Sequence, residues 1–397
     1  MKKLVLLIFV HLLFAHTGFS QNQEGLSPKQ FIEDLEYLKS ELPKRHTNLF
    51  AKISEKEFHS KIAAIELKSP GLTNESFEIE LYKLFRGIGD EHTRLEPTYR
   101  EVFPLKFDFF REGIFVTHTA SAYAGLLGKR LDGIENTSTK ALIGQFEKMI
   151  NTENPAYFDT YFQHLVAQPR VLKGLRVTPA DESAHFLLDD TPYAVSAVKK
   201  ENLSLDVSAP LLKNSQPDNY WYRLTDNGEV LYFNYQNCAE QTGKPFEDFN
   251  NDLWQVIDSQ KPKKIIVDLR NNSGGNSGIL NPFLDHLRDS YLNQKGRLYV
   301  LIGKSTFSSA LMNAVNLKRN FQSVLVGQAT SGNVNHYGET RGFQLPNSRV
   351  TVGYSTRYWE VWKGYEGALK PDVKIEYSIK NFSAGIDEAI EYVRSQK

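Results

Sequence analysis

The chain has 397 residues, with 47 Lys+Arg balanced by 47 Asp+Glu, so at roughly 100–200 residues per domain two or three domains with a sizeable core are expected. Its 41% apolar and 24% charged content excludes a disordered, collagenous or coiled-coil chain. Zero formal charge leaves no basic excess for nucleic acid or for an anionic membrane, and one cysteine, Cys238, excludes an internal disulfide, a Cys-rich zinc site and an iron–sulfur cluster.

At the N-terminus, Lys2 and Lys3 precede an apolar run from Leu4 to Ala15, and Gly18-Phe19-Ser20 supplies small residues before Gln21. That layout predicts a cleavable signal peptide over 1–20. The run is too short to span a bilayer at about 20 residues. Its removal leaves 45 basic against 47 acidic residues and no second spanning run. The expected mature protein is exported, periplasmic or extracellular, with no stable membrane insertion.

The segment 21–97 reads as helical. Ser27-Pro28 is a start signal, and Phe31, Leu35, Leu38 and Leu42 follow at helical spacing through Leu42. Further helices are predicted over Glu55–Ile65 and Glu75–Phe85, the latter capped by Asn74 and ending at Gly87-Ile88-Gly89. Residues 98–215 change character. Strands are predicted at Pro104–Phe110 and Gly113–Thr117, a turn–strand–turn at Leu126–Ile134 and a helix at Thr139–Ile150, giving a small β-rich module. Residues 216–397 alternate: strand Val230–Tyr235, helix Pro245–Ser259, strand Lys264–Leu269, helix Ser277–Asp289, strand Leu298–Ile302, helix Ser308–Leu317 and strand Ser323–Val326. A hairpin of Gly342–Leu345 and Arg349–Tyr354 then turns at Pro346-Asn347-Ser348. This is an α/β pattern with a parallel sheet covered on both faces.

Three stretches could carry chemistry. Asp268-Leu269-Arg270-Asn271-Asn272-Ser273-Gly274-Gly275 ends an apolar strand on two glycines. Their N–H groups could hold an oxyanion, although a plain turn has the same composition. Thr306-Phe307-Ser308-Ser309-Ala310 opens a helix after another apolar strand. A serine there is by default a helix cap, but the helix terminus also stabilises negative charge developing on acyl transfer, and the Ser309 N–H is the next donor. Gly87-Ile88-Gly89-Asp90-Glu91-His92-Thr93 closes the first segment with a histidine, a residue type that by default is structural or solvent-exposed.

Together these stretches resemble the C-terminal-processing (tail-specific) serine peptidase family, and within it the tricorn-like branch that uses Ser, His and Glu. Gly89, Asp90, His92 and Thr93 match one motif, Asp268–Gly275 a second, Ser305–Ala310 a third, and Glu366, Gly367, Pro371 and Asp372 a fourth, in family order. The resemblance implies a crotonase-like peptidase domain at 216–397. It also implies a degraded PDZ-like module around Gly128–Ile134 within 98–215, and an N-terminal helical domain over 21–97 that carries the base. The lysine-using branch places its lysine directly after Gly327–Gly332; this chain has Asn333 there, so a histidine must serve.

The resemblance thus implies Ser308 as nucleophile, His92 as general base and Glu366 as the residue that orients it. It implies an oxyanion hole from Ser309 with Gly274 or Gly275, no metal and no cofactor. His336 is the rival base, Ser309 the rival nucleophile, and Cys238 reads as a buried small hydrophobe. The tricorn-like bridging serine before the histidine is replaced by Glu91. The expected function is an exported serine endopeptidase acting on unfolded or extended polypeptides. The alternatives are a catalytically weak or inactive binder of peptide or apolar ligand on the same fold, and a hydrolase of non-peptide esters or amides.

Overall fold

Ser27 Oγ accepts from the Gln30 N–H and Gln30 Oε1 accepts from the Ser27 N–H, so a reciprocal cap starts the first helix, Pro28–Arg45. In the computed structural model, which describes residues 25–96, 99–180, 182–209 and 216–396, this helix buries Phe31, Leu35, Leu38 and Leu42. The expected signal segment lies outside the described residues. A second helix, Glu55–Lys68, is capped by Ser54, and a third, Asn74–Ile88, by Thr73. Asn74, the expected cap, instead accepts the Leu26 N–H through Oδ1 at 2.9 Å. The third helix ends on Gly89 at φ +75°, a left-handed position that glycine adopts without steric cost.

In the middle segment, strands Leu105–Phe110 and Gly113–Thr119 pair antiparallel, and Leu131–Ile134 joins Ser183–Leu188 and Thr191–Ser196 in a second sheet. The helix expected to reach Ile150 stops at Phe146. Two helices beyond the expectation follow, Pro155–Leu165 and Pro169–Gly174. Each opens on a proline, whose fixed φ and missing N–H suit a first helical position.

The last segment builds one six-stranded sheet in the order Tyr220–Thr225, Val230–Tyr235, Lys264–Asp268, Leu298–Ile302, Val324–Gly327, Val373–Lys374. The first pair is antiparallel and the rest parallel. Both faces are apolar because both are covered. Phe233, Ile265, Val267 and Val300 pack against helices Phe246–Gln260, Asn281–Arg288 and Ser308–Asn320. Tyr232, Ile266, Tyr299 and Leu301 pack against helix Glu388–Ser395.

The hairpin is longer than its sequence pattern suggests: His336–Gln344 pairs with Thr351–Trp359, and Arg94–Glu96 adds a third strand. Its apolar residues Phe343, Leu345, Val350 and Val352 join one core with Phe31, Leu35 and Leu38. Segments some three hundred residues apart therefore share a core, and strand Arg94–Glu96 is held to it by pairing with Thr351–Trp359.

Asp34, fully buried on the first helix, holds the hairpin turn. It accepts the N–H of Asn347 and of Ser348, each at 2.8 Å, and the Asn347 amide at 3.1 Å. Asp34→Ala strands two backbone donors, so a loss of about 2–3 kcal/mol is expected in urea denaturation. A change below about 0.5 kcal/mol, the range of an ordinary surface substitution, would show that the turn holds itself.

Candidate active site

Residues Gly89–Thr93 form a tight turn after the third helix, and Asp90 is its anchor. Its carboxylate accepts from His46 Nε2 at 3.0 Å, Thr93 Oγ1 at 2.5 Å, Ser355 Oγ at 2.6 Å and the His92 N–H at 3.0 Å. Burial alone would raise its pKa; the hydrogen bonds from His46, Ser355, Thr93 and His92 outweigh that and hold it at about 2. The Asn48 N–H donates to His46 Nδ1, so Nε2 carries the hydrogen and donates the bond to Asp90.

This turn presents the His92 imidazole between two rings. Phe307 stacks on it at 4.4 Å between centroids and His336 at 5.1 Å, with interplanar angles of 24° and 13°. The residue is buried, and neither ring nitrogen has a hydrogen-bond partner among the described residues. Burial, reinforced by His336, lowers its pKa from 6.5 to about 3, so the ring is neutral at physiological pH. His336 is buried as well, and it donates from Nδ1 to the carbonyls of Asn333 and Val334. The two histidines that sequence offered as base are thus neighbours, with His336 anchored by its own loop.

Ser308 begins helix Ser308–Asn320 and sits at φ +50°, a left-handed conformation that a serine adopts at a cost of about 1–2 kcal/mol. Two loops converge to hold it there. Thr306 Oγ1 donates to the Leu269 carbonyl at 2.8 Å, and the Phe307 N–H donates to the Asn272 carbonyl at 3.1 Å. Gly274, at φ +111°, packs so closely that a Cβ there would stand 2.8 Å from Ser308 Cβ. Asn272 is fully buried; its amide donates to the Tyr235 carbonyl and its Oδ1 accepts the Gly274 N–H at 2.9 Å.

The Gly274 N–H is therefore occupied. The Gly274 carbonyl accepts from the Cys238 N–H at 3.1 Å, which leaves the Gly275 N–H on the opposite side of that trans peptide. Ser309 Oγ donates to the Gly275 carbonyl at 2.6 Å, which turns that hydroxyl toward the glycine loop. Its N–H lies in the first turn of a helix, where no intrahelical acceptor exists. Cys238 is buried beside Asn272, and burial pushes its thiol up to about 11.

Ser308 and His92 line one cavity of about 540 Å³, whose walls include Tyr99, Met149, Tyr157 and Tyr161. No hydrogen bond joins the two side chains, since both His92 nitrogens are unpartnered. Glu366 is exposed and makes no bond to His92. It adjoins Gly367, whose carbonyl accepts the Val334 N–H at 2.8 Å in the loop that carries His336. The residues that sequence reasoning left without a role are His46, Ser355, Phe307 and Asn272. Phe307 and Asn272 stood in quoted motifs, whereas His46 and Ser355 carry no local signal because only the tertiary fold brings them to Asp90. Among the described residues no three His, Cys, Asp or Glu side chains cluster as a metal site, and no helix is long and apolar enough to cross a membrane.

No protein-family model matches the chain, and no curated protein matches it in sequence. Solved structures do match. The chain shares its fold with mature CPAF complexed with lactacystin, at 13% identity and a TM-score of 0.64, over 92% of this chain and 97% of that one. A serine-to-alanine mutant of CPAF gives 12% identity and a TM-score of 0.64, over 92% and 96%. The photosystem II D1 C-terminal processing protease matches at 12% identity and a TM-score of 0.42, over 88% and 93%. The resemblance read in four motifs is thus accompanied by a shared fold with CPAF across nearly the whole chain.

Glu91 is the second buried acid of the turn. Its Oε2 accepts the Asn333 N–H at 3.0 Å, and its Oε1 is buried without a partner. Burial raises its pKa from 4.5 to about 7. A raised folded-state pKa means that the folded protein binds this proton more tightly than the unfolded chain does. That stability is complete below pH 4.5 and is lost as pH rises through about 7. His92 has the opposite sign: its contribution is present above 6.5 and lost as pH falls toward 3. Comparing unfolding free energy with that of Glu91→Gln cancels the His92 part. The variant should gain on the wild type by on the order of 3 kcal/mol between pH 4.5 and 8. Parallel profiles would show that Glu91 titrates normally.

Proposed function

We propose that the chain is a serine peptidase of the C-terminal-processing type, with Ser308 as nucleophile and His92 as general base. The observation that carries this reading is Ser308 itself, a non-glycine residue held at positive φ on a helix N-terminus, facing the cavity that an unpartnered, neutral histidine also lines. Backbone strain of this kind collects at functional sites. A strained strand-to-helix turn is one known way to present a nucleophilic serine.

In the first half-reaction Ser308 Oγ attacks a peptide carbonyl carbon while its proton passes to His92. The oxyanion is held by the N–H groups of Ser309 and Gly275, because the Gly274 N–H is already given to Asn272. Collapse expels the amine, which takes the proton from His92. Water, deprotonated by His92, then attacks the acyl-enzyme and frees the acid and Ser308. The aromatic and apolar walls of the cavity suit an apolar substrate side chain beside the scissile bond. Substrates are peptides or extended proteins.

Residues 1–20 form an export signal, so the enzyme works in the periplasm or outside the cell. Residues 21–97 are the helical domain, 98–215 a degraded PDZ-like module and 216–397 a crotonase-like peptidase domain. Glu366 belongs to the triad only if it reaches His92 in the substrate complex, since in the free protein it is exposed and unbonded to the ring.

Fluorophosphonate labelling tests the nucleophile. Wild-type protein should label and Ser308→Ala should not; equal labelling would remove Ser308, and absence of both labelling and peptide turnover would leave a binding protein. His92→Ala should lower kcat by roughly 10³-fold or more, the scale seen when a triad member is lost. Glu366→Gln should cost less than about tenfold. A loss of 10²-fold or more would place Glu366 on His92 during turnover.

A further inference from the structure

Behind the catalytic loops lies a second cavity of about 350 Å³, bounded by the six-stranded sheet, strand Leu105–Phe110 and the C-terminal segment around helix Glu388–Ser395. Four basic side chains line it, and three are neutralised. Arg270 pairs with Asp268 at 2.5 Å and Asp387 at 2.8 Å. Lys304 pairs with Asp159 at 2.9 Å, and Arg394 with Glu391 at 2.7 Å and Asp226 at 3.0 Å. The fourth, Arg223, has no carboxylate partner among the described residues. Its guanidinium lies over the rings of Trp221 and Tyr232, 5.5 and 5.2 Å from their centroids, and its Nε–H is buried without an acceptor.

Two neighbours in the wall are also unmatched. Trp221 is 6% exposed and its indole N–H has no acceptor; Asn234 is 5% exposed and its Oδ1 has no donor. The Asn234 amide is spent on Tyr232 Oη, which in turn donates to Asp268, so the side chain is fixed with its oxygen left over. Buried polar groups are ordinarily paired, and three unmatched ones in one wall mark a place built for a partner.

Their chemistry specifies that partner. An arginine fork next to an indole N–H fits a carboxylate. The Trp221 and Tyr232 faces offer apolar wall beside the charge. An acceptor close by fits an N–H, and the volume suits a ligand of one or two residues. We propose that this cavity is a binding site for an N-acylated α-amino acid with an apolar side chain, either free or as the last residue of a peptide. Its carboxylate takes Arg223 and Trp221, and its amide N–H takes Asn234. The site is separate from Ser308, although Ser305 lines both cavities, and its occupancy does not depend on the peptidase reading.

Calorimetric titration of the full chain with N-acetyl-phenylalanine tests this. Saturable binding is expected, with N-acetyl-phenylalaninamide weaker by at least about tenfold because the carboxylate is gone. Arg223→Gln should weaken the acid by a similar factor, and Ser308→Ala should leave it unchanged. N-acetyl-Ala-Ala-Phe bound as tightly as the single residue or tighter assigns the site to peptide ends; weaker binding assigns it to free acids. Absence of saturation at millimolar acid, equal affinity for acid and amide, or an unchanged Arg223→Gln would overturn the proposal. The acid–amide comparison uses unaltered protein, so a misfolded variant does not obscure it.

Discussion

Asp90 follows the left-handed glycine that ends the third helix, and its carboxylate collects four hydrogen bonds from three separate parts of the chain. His46 comes from the end of the first helix, Ser355 from the long hairpin, and Thr93 and the His92 N–H from the turn itself. An ionised carboxylate buried this deeply is tolerated only when its lone pairs are filled by donors. The fold must therefore bring all three segments to one point, and in doing so it fixes the backbone from which His92 projects. The imidazole is held by the flat faces of Phe307 and His336 and by the anchored peptide below it.

Ser308 is fixed by a different kind of constraint. Its positive φ is unfavourable on its own, and the polar contacts of Asn272 and Thr306 lock the two loops around it. The glycine pair serves this closure sterically. A side chain at Gly274 would strike Ser308, and one at Gly275 would sit 2.3 Å from the Cys238 carbonyl. Both glycines are required by close approach, and the freeing of the Gly275 N–H follows from how that approach is made. Strain at the serine is thus balanced by hydrogen bonds that lie mostly outside the reacting groups.

Much of this was legible in the sequence where the information is local. Helical spacing of Phe31, Leu35, Leu38 and Leu42 and the Ser27 start signal placed the first helix, and apolar runs placed the parallel strands. Asn154-Pro155 is a start signal of the same kind, and Pro169 alone marks the second of the two helices that a β-rich reading of this segment misses. The hairpin extends beyond its sequence pattern because His336–Arg341 lacks a clean alternation of apolar and polar residues. One end of it faces the site and the other water, so pairing rather than burial extends it. The site was legible as motifs but not as geometry. Ser308 and His92, paired in sequence only by the family resemblance, line one cavity, whereas His46, Ser355 and the stacking of His336 depend on long-range packing that no window of sequence contains. Gly274 illustrates the limit: the motif offered its N–H, and only Asn272, two residues away, shows that it is occupied.

The neutral, buried His92 raises a question of driving force, since a base with so low a ground-state pKa is a weak proton acceptor. The low value arises chiefly from the cost of an isolated positive charge at a buried position. In the proposed acyl transfer the charge is not isolated. In that proposal the proton would leave Ser308 as the oxyanion forms, so the imidazolium would appear together with a negative charge in the same cavity. At low effective dielectric such a pair attracts far more strongly than in water. The Asp90 carboxylate, already ionised beneath the ring, acts in the same direction. Burial therefore penalises the imidazolium in the resting protein more than in the transition state, and it is this difference between the two states that accelerates a reaction. A pocket that keeps His92 uncharged without substrate is consistent with one that supports its charge when the tetrahedral intermediate forms.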